Sequence, residues 1–173
     1  MNSHAGLAPE GPYYTFVLID GSTLKPHEET DMSRVKELTS EITGDGMLRH
    51  PVIVDKTFMV ILDGHHRVSV LTKLGCMFIP AYLVDYHDES IQVRNWREGK
   101  EPEIEISKVT KESVVSAALT GQLFPPKTSR HIWPWRREEC PIPIRMLEEL
   151  GRTTSNMVHE RKCEGKKTGN VEK

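Results

Sequence analysis

The most constraining stretch of this 173-residue chain runs from Phe58 to Gly75: Phe-Met-Val-Ile-Leu-Asp-Gly-His-His-Arg-Val-Ser-Val-Leu-Thr-Lys-Leu-Gly. Phe58 to Leu62 form an unbroken apolar run, the pattern of a strand covered on both faces. Asp63-Gly64 breaks the run as a turn or a helix N-cap does. Val68, Leu71 and Leu74 then recur at helical spacing, and Gly75 suits the position just past a helix. The reading is strand, tight turn, helix, with His65, His66 and Arg67 on the first helical turn. Unpaired backbone N–H groups and the positive end of the helix dipole favour anions there. Two imidazoles and a guanidinium at that spot predict a phosphate seat. The plainer alternative is a helix capped by Asp63 with three basic side chains in solvent. Asp63 would repel a bare phosphate, so the pattern fits a nucleotide arriving with Mg²⁺, which takes carboxylate and phosphate oxygens.

The formal net charge of −2 speaks against DNA as the main partner, because nucleic-acid binders carry a positive excess. Cys76, Cys140 and Cys163 are odd in number and widely spaced. That pattern argues against a disulfide framework or a cysteine zinc site and predicts a reducing, cytoplasmic compartment. The N-terminus lacks a signal-peptide pattern, and no apolar run approaches a membrane span.

Read in order, residues 1–12 form an expected flexible leader. Tyr13 to Ile19, rich in β-branched and aromatic residues, predicts the first strand. Leu24-Lys25-Pro26-His27-Glu28-Glu29-Thr30-Asp31 reads as a loop, since Pro26 disfavours helix before it. Met32, Val35, Leu38 and Ile42 make one helical stripe, capped by Thr30 or Asp31 and ended by Gly44 and Gly46. Val52-Ile53-Val54 is a short strand, joined to the Phe58 run by a three-residue connection at Asp55-Lys56-Thr57. Ile79 to Tyr86 and Ile91 to Trp96 are further strands, and Arg97 to Glu103 a charged loop. A helix from Lys111 to Leu119 is capped by Thr110 and stopped by Gly121. Prolines from Pro125 to Pro143 argue against long regular structure there. Ile144 to Leu150 is a last short helix ended by Gly151, and residues 152–173 are an expected disordered tail.

Three further constellations bear chemistry. Lys127-Thr128-Ser129-Arg130-His131, stiffened by Pro125-Pro126, packs two cations, two hydroxyls and an imidazole into a set that suits a carboxylate or phosphate. The competing reading is a solvated polar loop. His27-Glu28-Glu29 places carboxylates just before a helix, where one can serve as a general base or merely favour the helix dipole. His65 and His66 point about 100° apart on a helix, a poor chelating pair, so zinc is weakly supported. Trp96 sits beside a polar turn and could cover a small ligand.

The order Gly46-Met-Leu48-Arg49-His-Pro51-Val-Ile-Val, Asp63-Gly64-His65-His66-Arg67, Leu74-Gly75 and Ile79-Pro-Ala-Tyr-Leu-Val resembles the ParB/sulfiredoxin superfamily. Its G-x-x-R signature matches Gly64 and Arg67. Sulfiredoxins carry a reactive cysteine where this chain has His65, and the helix-turn-helix of ParB proteins has no counterpart after Val84. Leu24-Lys-Pro-His27-Glu28-Glu29, the Asp-Gly-His-His-Arg turn, Val84-Asp85-Tyr86, Trp96 and Leu123-Phe-Pro-Pro-Lys127-Thr-Ser-Arg-His131 together resemble the free L-serine kinases of that superfamily. Archaeal members carry a longer insert after Trp96.

The resemblance implies an α+β fold, a ParB/sulfiredoxin-like domain with a small mixed sheet flanked by helices, plus a C-terminal helical and loop extension. It divides the chain into a nucleotide-binding domain over residues 13–96 and an extension over 97–151 that completes the substrate site. The implied activity is phosphoryl transfer from ADP or ATP, with Mg²⁺, to free L-serine, giving O-phospho-L-serine. It further implies Glu28 as catalytic base, with Glu29 as fallback, and Asp63 beside the reacting phosphate and a Mg²⁺ contact. Leu48, Arg49 and Gly64 to Arg67 would hold the nucleotide. Trp96, Lys127, Thr128, Ser129, Arg130 and His131 would hold serine. The rival reading is a non-catalytic ParB-like nucleotide-binding or DNA-associated regulatory module.

Overall fold

The computed structural model describes residues 13–96 and 109–164, with side chains to residue 154. The expected leader (1–12), the loop at 97–103 and the end of the tail (165–173) lie outside the described residues.

The centre is a four-stranded sheet in the order β1 (Tyr14–Asp20), β5 (Phe78–Val84), β3 (Val52–Asp55), β4 (Ile61–Asp63). β1 and β4 run antiparallel to their neighbours, while β3 and β5 are parallel. A parallel pair needs a crossover. Here it is made by α2 (His65–Lys73), which leaves β4 and returns the chain to β5. The expected small mixed sheet with flanking helices is what forms.

Strand periodicity explains the apolar runs. Successive side chains alternate across a sheet, so Val52 and Val54 enter one core cluster with Val35, Val70 and Leu147, while Ile53 enters a second with Val60, Val84 and Val114. Both faces are therefore covered. α1 (Met32–Asp45) and α2 pack on the first face, and α3 (Lys111–Thr120) supplies the second.

Local signals set the helix ends. Asp31 caps α1 by accepting from the N–H groups of Ser33 (2.9 Å) and Arg34 (3.4 Å), and Gly46 ends it in the left-handed region. Thr110 and Ser113 cap α3 reciprocally.

Two expectations are corrected, the Phe58 strand and the end of the last helix, and two are made more specific. The Phe58 run is not one strand. Asp55 Oδ2 accepts the Phe58 N–H at 2.8 Å, Asp55 O accepts the Met59 N–H at 3.0 Å, and Met59 turns at φ 60°. This four-residue connection over 56–59 leaves only Ile61–Asp63 to pair as β4. The loop at residues 24–31 is stitched in place by backbone bonds. Lys25 N–H donates to Met59 O, Phe124 N–H to His27 O and Glu29 N–H to Phe124 O, all within 2.8–2.9 Å. The proline-rich stretch contains β7 (Ser129–Ile132), paired antiparallel with β6 (Gln92–Asn95), and β8 (Ile142–Pro143), paired with β2 (Met47–Leu48). Finally, the last helix α4 (Ile144–Glu164) continues through Gly151. Gly151 lies where an added Cβ would be 3.3 Å from Met77 Cβ, so the missing side chain permits close packing.

Ile53 is fully buried at the centre of β3. Ile53→Ala is expected to lower unfolding free energy by about 2–5 kcal/mol, measured by urea titration.

Candidate active site

The site forms where α2 begins. Gly64 is the N-cap of α2 at φ 101°, a conformation that L side chains rarely adopt. A Cβ there would lie 2.7 Å from Val52 Cγ1 and 2.9 Å from Arg67 Nη2. The tight turn and its packing on β3 both require glycine. No side chain caps this helix. Asp63, placed to do so, turns instead to Arg67 (Nη2 to Oδ2, 2.5 Å) and Arg137 (Nη1 to Oδ2, 2.7 Å). The first-turn N–H groups therefore remain available to an anion.

The two histidines do something other than supply charge. His65 Nε2 accepts the backbone N–H of His27 at 3.2 Å, and His66 Nε2 accepts that of Asp31 at 3.1 Å. The imidazole pair thus ties the start of α2 to both ends of the segment carrying Glu28 and Glu29. A ring nitrogen that accepts carries no proton there, so both rings are neutral. Burial drives the pKa of His65 well below its ordinary value and also lowers that of His66. The two imidazoles expected at the phosphate seat therefore bring no positive charge to it. The positive charge beside the turn comes from Arg67 and Arg137.

Arg67 is itself anchored. It donates to His50 O at 2.7 Å and Pro51 O at 2.6 Å, linking α2 to the start of β3. Burial pushes the Asp63 carboxyl up, but the two guanidinium groups outweigh it and hold the carboxyl below the usual range. Asp63 Oδ2 is thus shared by two cations, so the expected Mg²⁺ contact would have to use Oδ1. Among the described residues no group of three His, Cys, Asp or Glu side chains could hold a metal.

Glu28 is buried beside this turn. Its Oε1 accepts from Ser129 N–H (2.5 Å) and Ser129 Oγ–H (2.6 Å), and Oε2 accepts from Lys127 N–H (3.1 Å). Lys127 holds φ 59°, which aims its N–H at the carboxylate. Burial pushes the Glu28 pKa up, against the pull of these hydrogen bonds.

Behind Glu28 stands His27, fully buried. Its Nδ1 donates to Ile61 O at 2.7 Å, which leaves Nε2 facing Ser129 Oγ at 2.8 Å. Burial lowers its pKa to about 4. The His27 ring centroid is 4.5 Å from that of His65 and 5.9 Å from that of His131. His131 Nε2 lies 2.8 Å from the Tyr86 hydroxyl, its ring stacks on Trp133, and burial lowers its pKa to about 3.

Two depressions flank the start of α2. One, about 220 Å³, is lined by Glu28, Glu29, Thr30, His65, Ser69 and Leu123. The other, about 180 Å³, is lined by Leu38, Ile42, Leu48, Arg49, His50 and Arg67.

The structure thus gathers Glu28, His65, Ser129 and His131 around His27, with Gly64 to Arg67 alongside. Other expected residues stand elsewhere. Thr128 is buried and its hydroxyl donates to Pro125 O at 2.8 Å. Alternation along β7 turns Arg130 away from Ser129 and His131, and its guanidinium lies over Trp96, 5.0 Å from the ring centroid. Arg130 and His131 therefore do not converge on one carboxylate. Leu48 is a core side chain at the base of the second depression, and Arg49 pairs outside with Asp45 at 2.9 Å.

Sequence reasoning passed over Arg137, Tyr86 and the anchoring role of His27. The adjacent cations Arg136-Arg137 were a usable signal for Arg137. The placements of Tyr86 and His27 depend on tertiary packing.

The chain is similar to several known proteins. Residues 15–95 match the ParB N-terminal domain. A ParB-like protein of Sulfolobus acidocaldarius is 41% identical over 83 residues, 48% of this chain and 41% of that protein. An ATP-dependent L-serine kinase of Staphylothermus marinus is 38% identical over 86 residues, 46% of this chain and 33% of that protein. The chain therefore matches well under half the length of these two relatives. A solved structure of a free serine kinase in complex with AMP superposes with a TM-score of 0.66 at 19% identity, covering 83% of this chain and 97% of that one. At that identity the likeness shows the fold. Residues 15–95, just under half of the chain, thus match the ParB N-terminal domain, and the chain resembles the free L-serine kinases of the ParB/sulfiredoxin superfamily in sequence and in fold.

Proposed function

We propose that this chain transfers a phosphoryl group from ADP or ATP to the hydroxyl of free L-serine, giving O-phospho-L-serine. One observation carries the reading: a buried carboxylate, Glu28, is held across His65 and His27 from an uncapped helix N-terminus flanked by two arginines. The names of the serine-kinase relatives support the substrate pair.

Phosphoryl transfer depends chiefly on positioning and on neutralising charge. The nucleotide's phosphates take the first-turn N–H groups of α2, with Arg67 and Arg137 beside them. Asp63 offsets one of those two cations, which leaves about one positive charge in addition to the helix dipole. The adenosine part lies toward Leu48 and Arg49. A divalent cation enters on the phosphates as part of the nucleotide, and no protein carboxylate is assigned to it. Serine lies in the depression beside Glu28, whose carboxylate takes the hydroxyl proton as the oxygen attacks the terminal phosphorus in line and the bond to the departing AMP or ADP breaks. Ser129 and the Lys127 N–H aim Glu28, and the exposed Lys127 ammonium meets the serine carboxylate. Arg130 and Trp96 form the outer edge. Glu29 lines the same depression and remains the fallback base.

The direct test is incubation of purified protein with serine and ADP or ATP, with phosphoserine read by mass spectrometry. Nucleotide binding without phosphoserine overturns the reading. Glu28→Gln is expected to lower kcat by about 10²–10⁴-fold while ADP affinity, measured by calorimetry, stays within about twofold. Loss of both together would make Glu28 structural.

The base works only when ionised, and burial raises its pKa. Activity should therefore fall as pH drops through a limb above the ordinary glutamate value of 4.5. A kcat/KM profile shows this limb in the wild type, and the residual activity of Glu28→Gln lacks it. Arg137→Gln removes one charge-assisted contact and should weaken ADP and ATP binding about tenfold or more without changing the fold seen by circular dichroism.

A further inference from the structure

The Ser129 hydroxyl has one hydrogen to donate and two acceptors within reach. Glu28 Oε1 lies 2.6 Å away and His27 Nε2 lies 2.8 Å away. The tautomer of His27 follows from its other nitrogen. Nδ1 is 2.7 Å from Ile61 O, and a carbonyl oxygen only accepts, so Nδ1 carries the proton. The ring is fully buried, and burial lowers its pKa to about 4. Near neutral pH, Nε2 is therefore an acceptor. No single orientation of the hydroxyl serves both neighbours.

The charge on Glu28 decides between them. An ionised carboxylate is the stronger acceptor, so the hydrogen then points at Oε1. Nε2 is left facing Oε1 at 3.7 Å, one electron-rich atom against another. Once Glu28 is protonated, Oε1 loses its charge and most of its hold on the hydroxyl. Rotation about the Ser129 Cβ–Oγ bond then carries the hydrogen to Nε2, and a buried acceptor gains its donor.

We propose that His27 is a positioning residue for proton transfer: its Nε2 takes over the Ser129 hydroxyl hydrogen when Glu28 accepts the proton of the substrate. The substrate O–H bond breaks and its proton binds a Glu28 carboxyl oxygen. The attacking oxygen bonds to phosphorus, and the bond to the departing AMP or ADP breaks. Ser129 keeps its own proton and changes only its partner, and His27 gains no charge. Without the second acceptor, the hydroxyl would go on favouring ionised Glu28 and make it a weaker base. This catalytic consequence rests on the kinase reading, whereas the exchange of acceptors does not.

Other titratable groups surround the pair. Glu29 belongs to the same segment, His65 to α2, and Lys127 and His131 to β7 and its approach. Asp63 of β4 acts on His27 through its charge. All of them stay in place in the variants below, so a change at Glu28 reports the hydroxyl.

The test is a ¹³C NMR titration of the Glu28 carboxyl in the full chain, which needs no turnover. His27→Asn keeps a donor for Ile61 O and leaves no acceptor at Ser129. It should lower the Glu28 pKa by about 0.5–1 pH unit. His27→Gln puts an acceptor oxygen near the place of Nε2 and should return the midpoint toward wild type. Ser129→Ala removes a hydrogen bond to the carboxylate and should raise the midpoint. His27→Asn added to Ser129→Ala should then move it by less than about 0.3 unit. In the kinase assay, the acid limb of kcat/KM should follow these midpoints. Should the His27 variants fail to fold, ¹⁵N NMR of the wild type decides. The His27 Nε2 resonance should then move upfield with the Glu28 midpoint while staying in the range of an unprotonated nitrogen. An unchanged midpoint in folded His27→Asn, an equal drop in the Ser129→Ala background, equal midpoints for His27→Asn and His27→Gln, or a stationary Nε2 resonance each overturns the proposal. The expected midpoints without phosphoserine formation sink the kinase reading alone.

Discussion

The tie between the His65 ring and the His27 backbone is the contact on which the candidate site depends. Loops leave backbone N–H groups that must find partners when buried. Here the partners are imidazole nitrogens at the start of α2, one on each side of Glu28 and Glu29. The same bonds serve three links at once. They satisfy the loop's donors, fix the distance between the carboxylate and the helix N-terminus, and lock each ring with Nε2 unprotonated. Gly64 makes this possible, because only its left-handed turn delivers two adjacent ring side chains to opposite ends of one short segment.

The turn and helix at residues 63–75 were legible because they rest on local rules. Period, turn residues and helix position together place His65, His66 and Arg67 on a first turn, and they are found there. The caps at Asp31 and Thr110 were legible for the same reason. What escaped was set by distant partners. Phe58 leaves the strand because Asp55 captures its N–H. Residues 129–132 form a strand because β6 offers an edge, which no property of the Pro-Pro-Lys-Thr-Ser-Arg-His stretch announces. Arg130 and His131 then fall on opposite faces, so a cluster that is compact in sequence is divided in space. The resemblance to the serine kinases pointed to Glu28. Its local sequence favoured an exposed acid, and its burial follows from the backbone bonds to Phe124 and from Ser129 and Lys127.

The charge balance follows from the same geometry. His27, His65 and His131 lie close together; removal from water holds all three neutral, and His27 lowers the pKa values of His65 and His131 further. Three cations in that space would repel one another and would lie away from water. The cluster therefore works as a set of directed donors and acceptors. Fixed positive charge is confined to guanidinium groups, which stay protonated when buried. Asp63 holds two of them at one oxygen. A carboxylate there looked from the sequence like an obstacle to phosphate. Paired with Arg67 and Arg137 it becomes the bracket that keeps both guanidinium groups at the helix N-terminus, where a single arginine would be balanced to zero by the same carboxylate. The second arginine leaves a net attraction for phosphate, and it comes from the C-terminal segment. In the proposed site the charge facing phosphate therefore comes both from the segment that matches the ParB N-terminal domain and from Arg137 beyond it.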